Sequence, residues 1–317
     1  MKILLVKTSS LGDVIHNLPV VSDIRRKFPQ ARIDWVVEEN FAAVPALHPG
    51  VRNVLPVAVR RWRRNLWGGG TWHEMHAFKE LLQAETYDCV IDTQGLVKSA
   101  LIAGLARGVR CGYDKASARE SFAARFYQRT YVVPSMQHAV ERNRQLAAQA
   151  LAYQVEGGPD YGIVVDVVAP AWLPPQPYAV LLHASSGDYK LWHEESWVEL
   201  GGQFARRGWA CVLPWGSTAE RERSTRLAGK IPGAVVAPQL DLRAVAGLLA
   251  GARAVVGVDT GLTHLAAALG VATAGIYCAT NPAATGIYGA ARAANLGGIG
   301  YMPQVQQVLA VLERLGA

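Results

Sequence analysis

Short apolar, β-rich runs alternate with helix-spaced patterns along this chain, and the alternation stops once, at a cluster of prolines, before it starts again. Such alternation leaves few options. Strands joined by helical crossovers pair in parallel, and a parallel sheet is covered by helices on both faces. In the first half the strand runs are residues 2–7, 33–37, 89–92 and 130–133, with helical patterns at 73–84, 96–107 and 138–152. After the first strand, Val14, Ile15, Leu18, Val21, Ile24 and Phe28 fall at helical spacing, and Pro19 must lie in a first turn or kink that helix. Residues 169–177 carry four prolines in nine positions, the composition of a stiff extended linker. Beyond them, strand runs at 178–183, 209–214, 254–258 and 274–277 alternate with helices at 194–207, 218–230 and 262–269, and an amphipathic helix spans 304–315. The predicted fold class is α/β, with one Rossmann-like domain over residues 1–168 and a second over 178–302. A chain of 317 residues suits two cores of this size.

Charge narrows the partners. Residues 1–165 hold 21 Lys/Arg against 15 Asp/Glu, whereas 166–317 hold 11 against 10, so nearly all of the net +7 sits in the first half. A basic domain beside a neutral one points to an acidic partner: nucleic acid, an anionic membrane surface or a phosphorylated substrate. The apolar run at the N-terminus is too short for a signal peptide, and the four cysteines form no C-x-x-C pair, which fits buried thiols in a reducing cytosol. The uncharged stretch 260–291 is interrupted by His264, Asn281 and Pro282, so any membrane contact is expected to be peripheral. Neither half has G-x-G-x-x-G after its first strand, and there is no P-loop, which argues against a dinucleotide oxidoreductase and a P-loop enzyme.

The candidate functional residues follow strands, where open α/β sheets place ligands. Asp13, in Thr8-Ser9-Ser10-Leu11-Gly12-Asp13, reads either as a helix cap or as a catalytic base. In Val258-Asp259-Thr260-Gly261-Leu262-Thr263-His264 a strand runs straight into a helix. Gly261 allows close backbone approach and the first-turn N–H groups suit a diphosphate; a capped helix with a core histidine is the alternative. Ser185, Ser186 and Lys190 offer two hydroxyls and an ammonium to phosphate, or form a solvated loop. Glu220 can hold ribose hydroxyls or face its own helix dipole. Arg60, Arg61, Arg63 and Arg64, interleaved with Trp62, suit nucleic acid or lipid phosphate equally, and Gly68, Gly69 and Gly70 behind them imply a flexible loop.

Taken in order, these pieces resemble the lipopolysaccharide heptosyltransferases of glycosyltransferase family 9. The resemblance runs through Lys7-Thr8-Ser9-Ser10-Leu11-Gly12-Asp13, Asp34-Trp35-Val36-Val37-Glu38-Glu39, Arg60-Arg61-Trp62-Arg63, Asp92-Thr93-Gln94-Gly95-Leu96-Val97-Lys98-Ser99, Gln137-His138-Ala139-Val140-Glu141-Arg142, Pro214-Trp215-Gly216 and the 258–264 turn. It implies a GT-B fold of two Rossmann-like domains facing across a cleft, with the C-terminal helix 303–317 joining the first. It implies an inverting, metal-independent transfer from ADP-L-glycero-β-D-manno-heptose to Kdo2-lipid A, with no cofactor and no nucleic-acid partner, by a cytoplasmic protein peripheral on the inner membrane. Asp13 falls on the family's catalytic aspartate, with His16 the other candidate base. Ser185, Ser186, Lys190, Glu220, Leu240, Asp259, Thr260, Gly261 and His264 fall on donor-binding positions. Arg60, Arg61, Arg63, Arg64 and Arg119 fall to the acceptor. Serines at 185 and 186 replace expected threonines, and Leu240 replaces a methionine. The Arg-Arg-Trp-Arg and Gln-Gly-Leu-Val-Lys-Ser runs favour the transferase that adds the first heptose over one that adds later heptoses.

Overall fold

The structure is a computed structural model describing residues 1–65, 68–167, 170–185 and 187–317. It divides into two compact units, Met1–Ile163 and Val164–Ala317. The partition falls ahead of the proline-rich stretch, of which residue 169 lies outside the described residues.

The first unit is built on β1 (Lys2–Val6), β2 (Arg32–Glu38), β3 (Val51–Val57), β4 (Thr86–Asp92), β5 (Arg107–Tyr113) and β6 (Arg129–Tyr131). All pairings are parallel, in the order β3-β2-β1-β4-β5-β6. Ile3, Leu4, Leu5 and Val6 are fully buried, as is the run Trp35, Val36 and Val37, because helices cover both faces. The segment after β1 forms two helices, Leu11–Ile15 and Leu18–Lys27, with Pro19 in the first turn of the second, where a missing N–H costs nothing. The buried guanidinium of Arg144, on helix Ala139–Leu151, forks onto Asp23 of helix Leu18–Lys27 at 2.7 and 3.2 Å and ties the two together.

The second unit repeats the plan with β7 (Tyr178–Leu182), β8 (Ala210–Leu213), β9 (Val235–Val236), β10 (Ala254–Val258), β11 (Thr273–Tyr277) and β12 (Ala293–Gly297), in the parallel order β12-β11-β10-β7-β8-β9. The final helix, Val305–Arg314, packs within the second unit. Val305, Val308, Leu309, Val311 and Leu312 enter the same core as Trp197, Leu200 and Phe204 of the second unit. That stripe packs against helix Glu194–Arg206 and strand β11, and Trp192 Nε1 donates to Pro303 O at 3.0 Å just ahead of it.

Each sheet reverses its winding once, between β1 and β4 in the first unit and between β7 and β10 in the second. Neighbouring strands then lead their following loops to opposite faces, which opens a crevice at the strand carboxyl ends. No helix among the described residues is long and apolar enough to cross a membrane.

Candidate functional site

At the first switch point, the turn after β1 meets the turn after β4. Gln94 clamps the two: its Oε1 accepts from Thr8 N at 2.7 Å, Thr8 Oγ1 at 2.8 Å and Ser9 N at 3.4 Å. Lys98 Nζ donates to Ser9 Oγ at 3.0 Å. Gln94 is itself held by buried Asp92, whose Oδ1 accepts from Gln94 N at 2.8 Å and Gly95 N at 3.2 Å. Lys7, buried at the end of β1, donates from Nζ to Thr93 O at 2.9 Å and Asn143 Oδ1 at 3.4 Å. Burial pulls its ammonium down to about 8, with the charges of Asp13 and Asp92 resisting and that of Arg119 adding to the fall.

Asp13 sits on the rim of this cluster. Its Oδ2 accepts from Ser10 N at 2.9 Å and Ser10 Oγ at 3.2 Å, which closes the first turn of helix Leu11–Ile15. Arg119 covers both oxygens, donating from Nη2 to Oδ1 at 3.2 Å and from Nη1 to Oδ2 at 3.3 Å. Burial would raise the carboxyl, but the charges of Lys7 and Arg119, the Ser10 N–H and the charge of His16 outweigh it and hold the group at about 2. The cap and the ionised carboxylate are therefore one residue, with Oδ2 shared between the helix and Arg119 and Oδ1 facing Arg119 alone.

At the second switch point, the turns after β7 and β10 meet in the same way. Lys190 Nζ donates to Asp259 Oδ2 at 2.7 Å, Thr280 Oγ1 to the same oxygen at 2.9 Å, and Ser185 Oγ to the Asp259 carbonyl at 3.0 Å. His264 Nε2 lies 3.9 Å from Asp259 Oδ1. Burial pushes this carboxyl up, but hydrogen bonds from His264, Lys190 and Thr280 hold it well below the usual carboxylate range. Helix Gly261–Ala268 begins here behind Thr260, which makes no side-chain cap, so its first-turn N–H groups and dipole favour an anion. The structure thus brings Ser185, Lys190, Asp259, Thr260, Gly261 and His264 together; Ser186 lies outside the described residues.

The remaining expected residues fall at the edges. Glu220 Oε2 accepts from Gly216 N at 2.6 Å and Ser217 N at 3.2 Å and closes a capping box on helix Thr218–Ala228. Leu240 is half-buried just ahead of helix Leu242–Ala250. Arg60, Arg61, Arg63 and Arg64 are exposed, and residues 66 and 67 of the expected flexible loop lie outside the described residues. Val59–Trp62 is a short helix, Gly69 and Gly70 open helix Gly69–Gln83, and Trp62 is buried edge-on to Phe78 at 5.9 Å. Arg61 is engaged by Glu39 at 3.1 Å and Glu74 at 2.8 Å, and Arg60 stacks over Phe41 at 5.1 Å. Sequence reasoning assigned no role to Lys7, Asp92 or Gln94; their position just past β1 and β4, the two strands flanking the reversal, is the signal that marks them.

A family model described as glycosyltransferase family 9 (heptosyltransferase) matches residues 75–311. The chain is 53% identical over 291 residues to the lipopolysaccharide heptosyltransferase 1 of Pseudomonas aeruginosa, covering 91% of this chain and 82% of that one. It is similar to the E. coli heptosyltransferase WaaC solved with ADP, with a TM-score of 0.92 and 42% identity over 99% of this chain and 100% of that one. WaaC solved with ADP-2-deoxy-2-fluoro heptose matches with a TM-score of 0.88, at 42% identity and 99% coverage of each chain. The two parallel-sheet domains are thus those of the GT-B-like heptosyltransferase fold. The chain belongs to glycosyltransferase family 9, the heptosyltransferases.

Proposed function

We propose that this heptosyltransferase moves L-glycero-D-manno-heptose from ADP-heptose to Kdo2-lipid A, with inversion and without a metal, and that Asp13 is its general base. The acceptor hydroxyl attacks the anomeric carbon, its proton passes to Asp13, and the bond from that carbon to the diphosphate oxygen breaks with its electron pair leaving on ADP. Lys190 and the first-turn N–H groups of helix Gly261–Ala268 receive the growing diphosphate charge. Thr260, Gly261 and His264 shape that turn, Ser185 and Ser186 flank the phosphates, and Glu220 and Leu240 lie toward the nucleoside. Arg60, Arg61, Arg63, Arg64 and Arg119 receive the acceptor's phosphates and carboxylates, forks suited to such oxyanions. The basic first half meets the anionic inner face of the membrane in which that acceptor resides.

The observation that carries this reading is the place of Asp13 at the switch point, its carboxylate held by Ser10 and Arg119 and kept ionised by the charges of Lys7 and Arg119. Support comes also from a relative named for lipopolysaccharide heptose transfer and from a similar chain solved with ADP and with an ADP-heptose analogue. The test is to incubate the protein with ADP-heptose and Kdo2-lipid A and weigh the lipid. A single added heptose is expected, undiminished by EDTA. Transfer only to an acceptor already carrying heptose assigns a later step, and loss of rate on chelation brings in a metal.

A further inference from the structure

Two cations hold Asp13 ionised, and they are not equivalent. Lys7 is buried and hydrogen-bonded to Thr93 and Asn143. Arg119 reaches Asp13 from 106 residues along the chain, and its side chain is 42% exposed. The residue beside it, Glu120, is pinned through both main chain and side chain. Glu120 N donates to Gly95 O at 3.0 Å, and Glu120 takes Val97 N at 2.7 Å. Gly95, at a φ of +68°, lets the segment come this close, since a Cβ there would stand 3.4 Å from Arg119 N and 3.0 Å from the Tyr113 ring.

The geometry has a chemical consequence. Asp13 Oδ2 already accepts from Ser10 N and Oγ, and Oδ1 is met by Arg119 Nη2. While the guanidinium stays, it occupies one acceptor site on each oxygen, and its charge makes the carboxylate a poorer base toward a hydroxyl. The contacts are long, at 3.2 and 3.3 Å, and solvent-facing, so the pair is weak and exchangeable. A planar fork that grips one carboxylate grips another oxyanion equally well.

We infer that Arg119 is a latch on the base: it covers Asp13 until an oxyanion of the acceptor draws the guanidinium away, so that the carboxylate is bared only when a hydroxyl is present to react. The inference rests on Asp13 being the base. It also explains how the donor survives while it waits. With the latch closed, Asp13 is a poorer base toward water, and the competing hydrolysis is slowed. In that reaction a water oxygen bonds the anomeric carbon, the bond from that carbon to the diphosphate breaks with its electron pair on ADP, and the water proton goes to Asp13. Arg119 is thus both an acceptor sensor and a guard against waste of the donor.

The experiment measures ADP release from ADP-heptose without acceptor in the wild type, Arg119→Ala, Asp13→Asn and the double variant. Arg119→Ala is expected to hydrolyse donor faster than wild type, by about tenfold or more, and the double variant to lose that gain. A second arm offers acceptors whose Kdo carboxylates are methyl-esterified or whose lipid A phosphates are removed. Wild type should slow on whichever modification takes away the oxyanion, and Arg119→Ala should not distinguish that acceptor from the intact one. Circular dichroism and ADP affinity, both expected to be unchanged, verify that Arg119→Ala is folded. If Arg119→Ala hydrolyses donor no faster than wild type while Asp13→Asn is inactive in transfer, the latch is wrong and the base stands. Normal transfer by Asp13→Asn overturns the base, and the latch with it. Wild-type rates on both modified acceptors also overturn the latch.

Discussion

Asp13 and Asp259 each lie at the switch point of their sheet and each face a cation, yet they are held quite differently. Asp259 is gripped by Lys190 at 2.7 Å and Thr280 at 2.9 Å, with the His264 ring beyond and Ser185 on its own carbonyl. Asp13 is held by Ser10 N at 2.9 Å and Ser10 Oγ at 3.2 Å, but the cation that meets it is an arginine fork at 3.2 and 3.3 Å whose side chain is 42% exposed, against 20% for Lys190. On the proposed reading, the same pairing is a scaffold in one domain and a reactive group in the other. What separates them is how short the contact to the cation is and how far water reaches that cation.

The largest expected effect tests the reactive side. Asp13→Asn keeps the shape and the Ser10 contacts, and kcat should fall by roughly 10²-fold or more with ADP affinity unchanged by calorimetry. A matching loss of donor affinity would erase the distinction between the two carboxylates. Lys190→Ala, in the scaffold, should do both things, weakening ADP binding and lowering kcat by up to about 10²-fold; unaltered ADP affinity together with unaltered kcat would remove Lys190 from the donor site. Asp259→Asn leaves Lys190 without its charge partner, and denaturant unfolding should register a loss of about 1–3 kcal/mol, more than Asp13→Asn causes. Equal losses from the two would show that the tightness of the cation contact is irrelevant.

The smallest expected effect is a shift in pH. The folded-state carboxyl of Asp13 is held at about 2, below its ordinary 3.8, so its contribution to stability is in place above the ordinary value and drains away as pH falls through about 2. Arg119→Ala removes one of the groups that lower it and leaves Lys7, His16 and the Ser10 N–H. The acid limb of kcat/KM should move to higher pH, read over about pH 3 to 6. An unmoved limb would mean that Arg119 does not govern Asp13.

Much of this was legible in the sequence, and the gaps have physical causes. β1, β2, β4, β7, β10 and β11 announce themselves as apolar runs because both faces of a parallel sheet are covered. β3 escaped because it carries Arg52, Asn53 and Pro56, which an edge strand tolerates. β5 reads Arg-Gly-Val-Arg-Cys-Gly-Tyr and looks like a turn; a Cβ on Gly112 would stand 2.3 Å from the Tyr127 ring, so that glycine answers to tertiary packing. Asp13, Lys190 and Asp259 were legible because each follows a strand. The partnerships of Gln94 with Thr8 and Arg119 with Asp13 join residues 86 and 106 apart, and no local spacing encodes them.

The placement of the last helix bears on how this chain can be rearranged. Had Val305–Arg314 completed the first domain's core, the polypeptide would leave that domain and return to it, and exchanging the second domain would take two cuts. Instead Val305, Val308, Leu309, Val311 and Leu312 fill the core of the unit they follow, and Val164–Ala317 is one uninterrupted stretch holding the whole second sheet. A single junction can therefore carry the whole second sheet into a chimera without splitting it or stranding an apolar helix face in water.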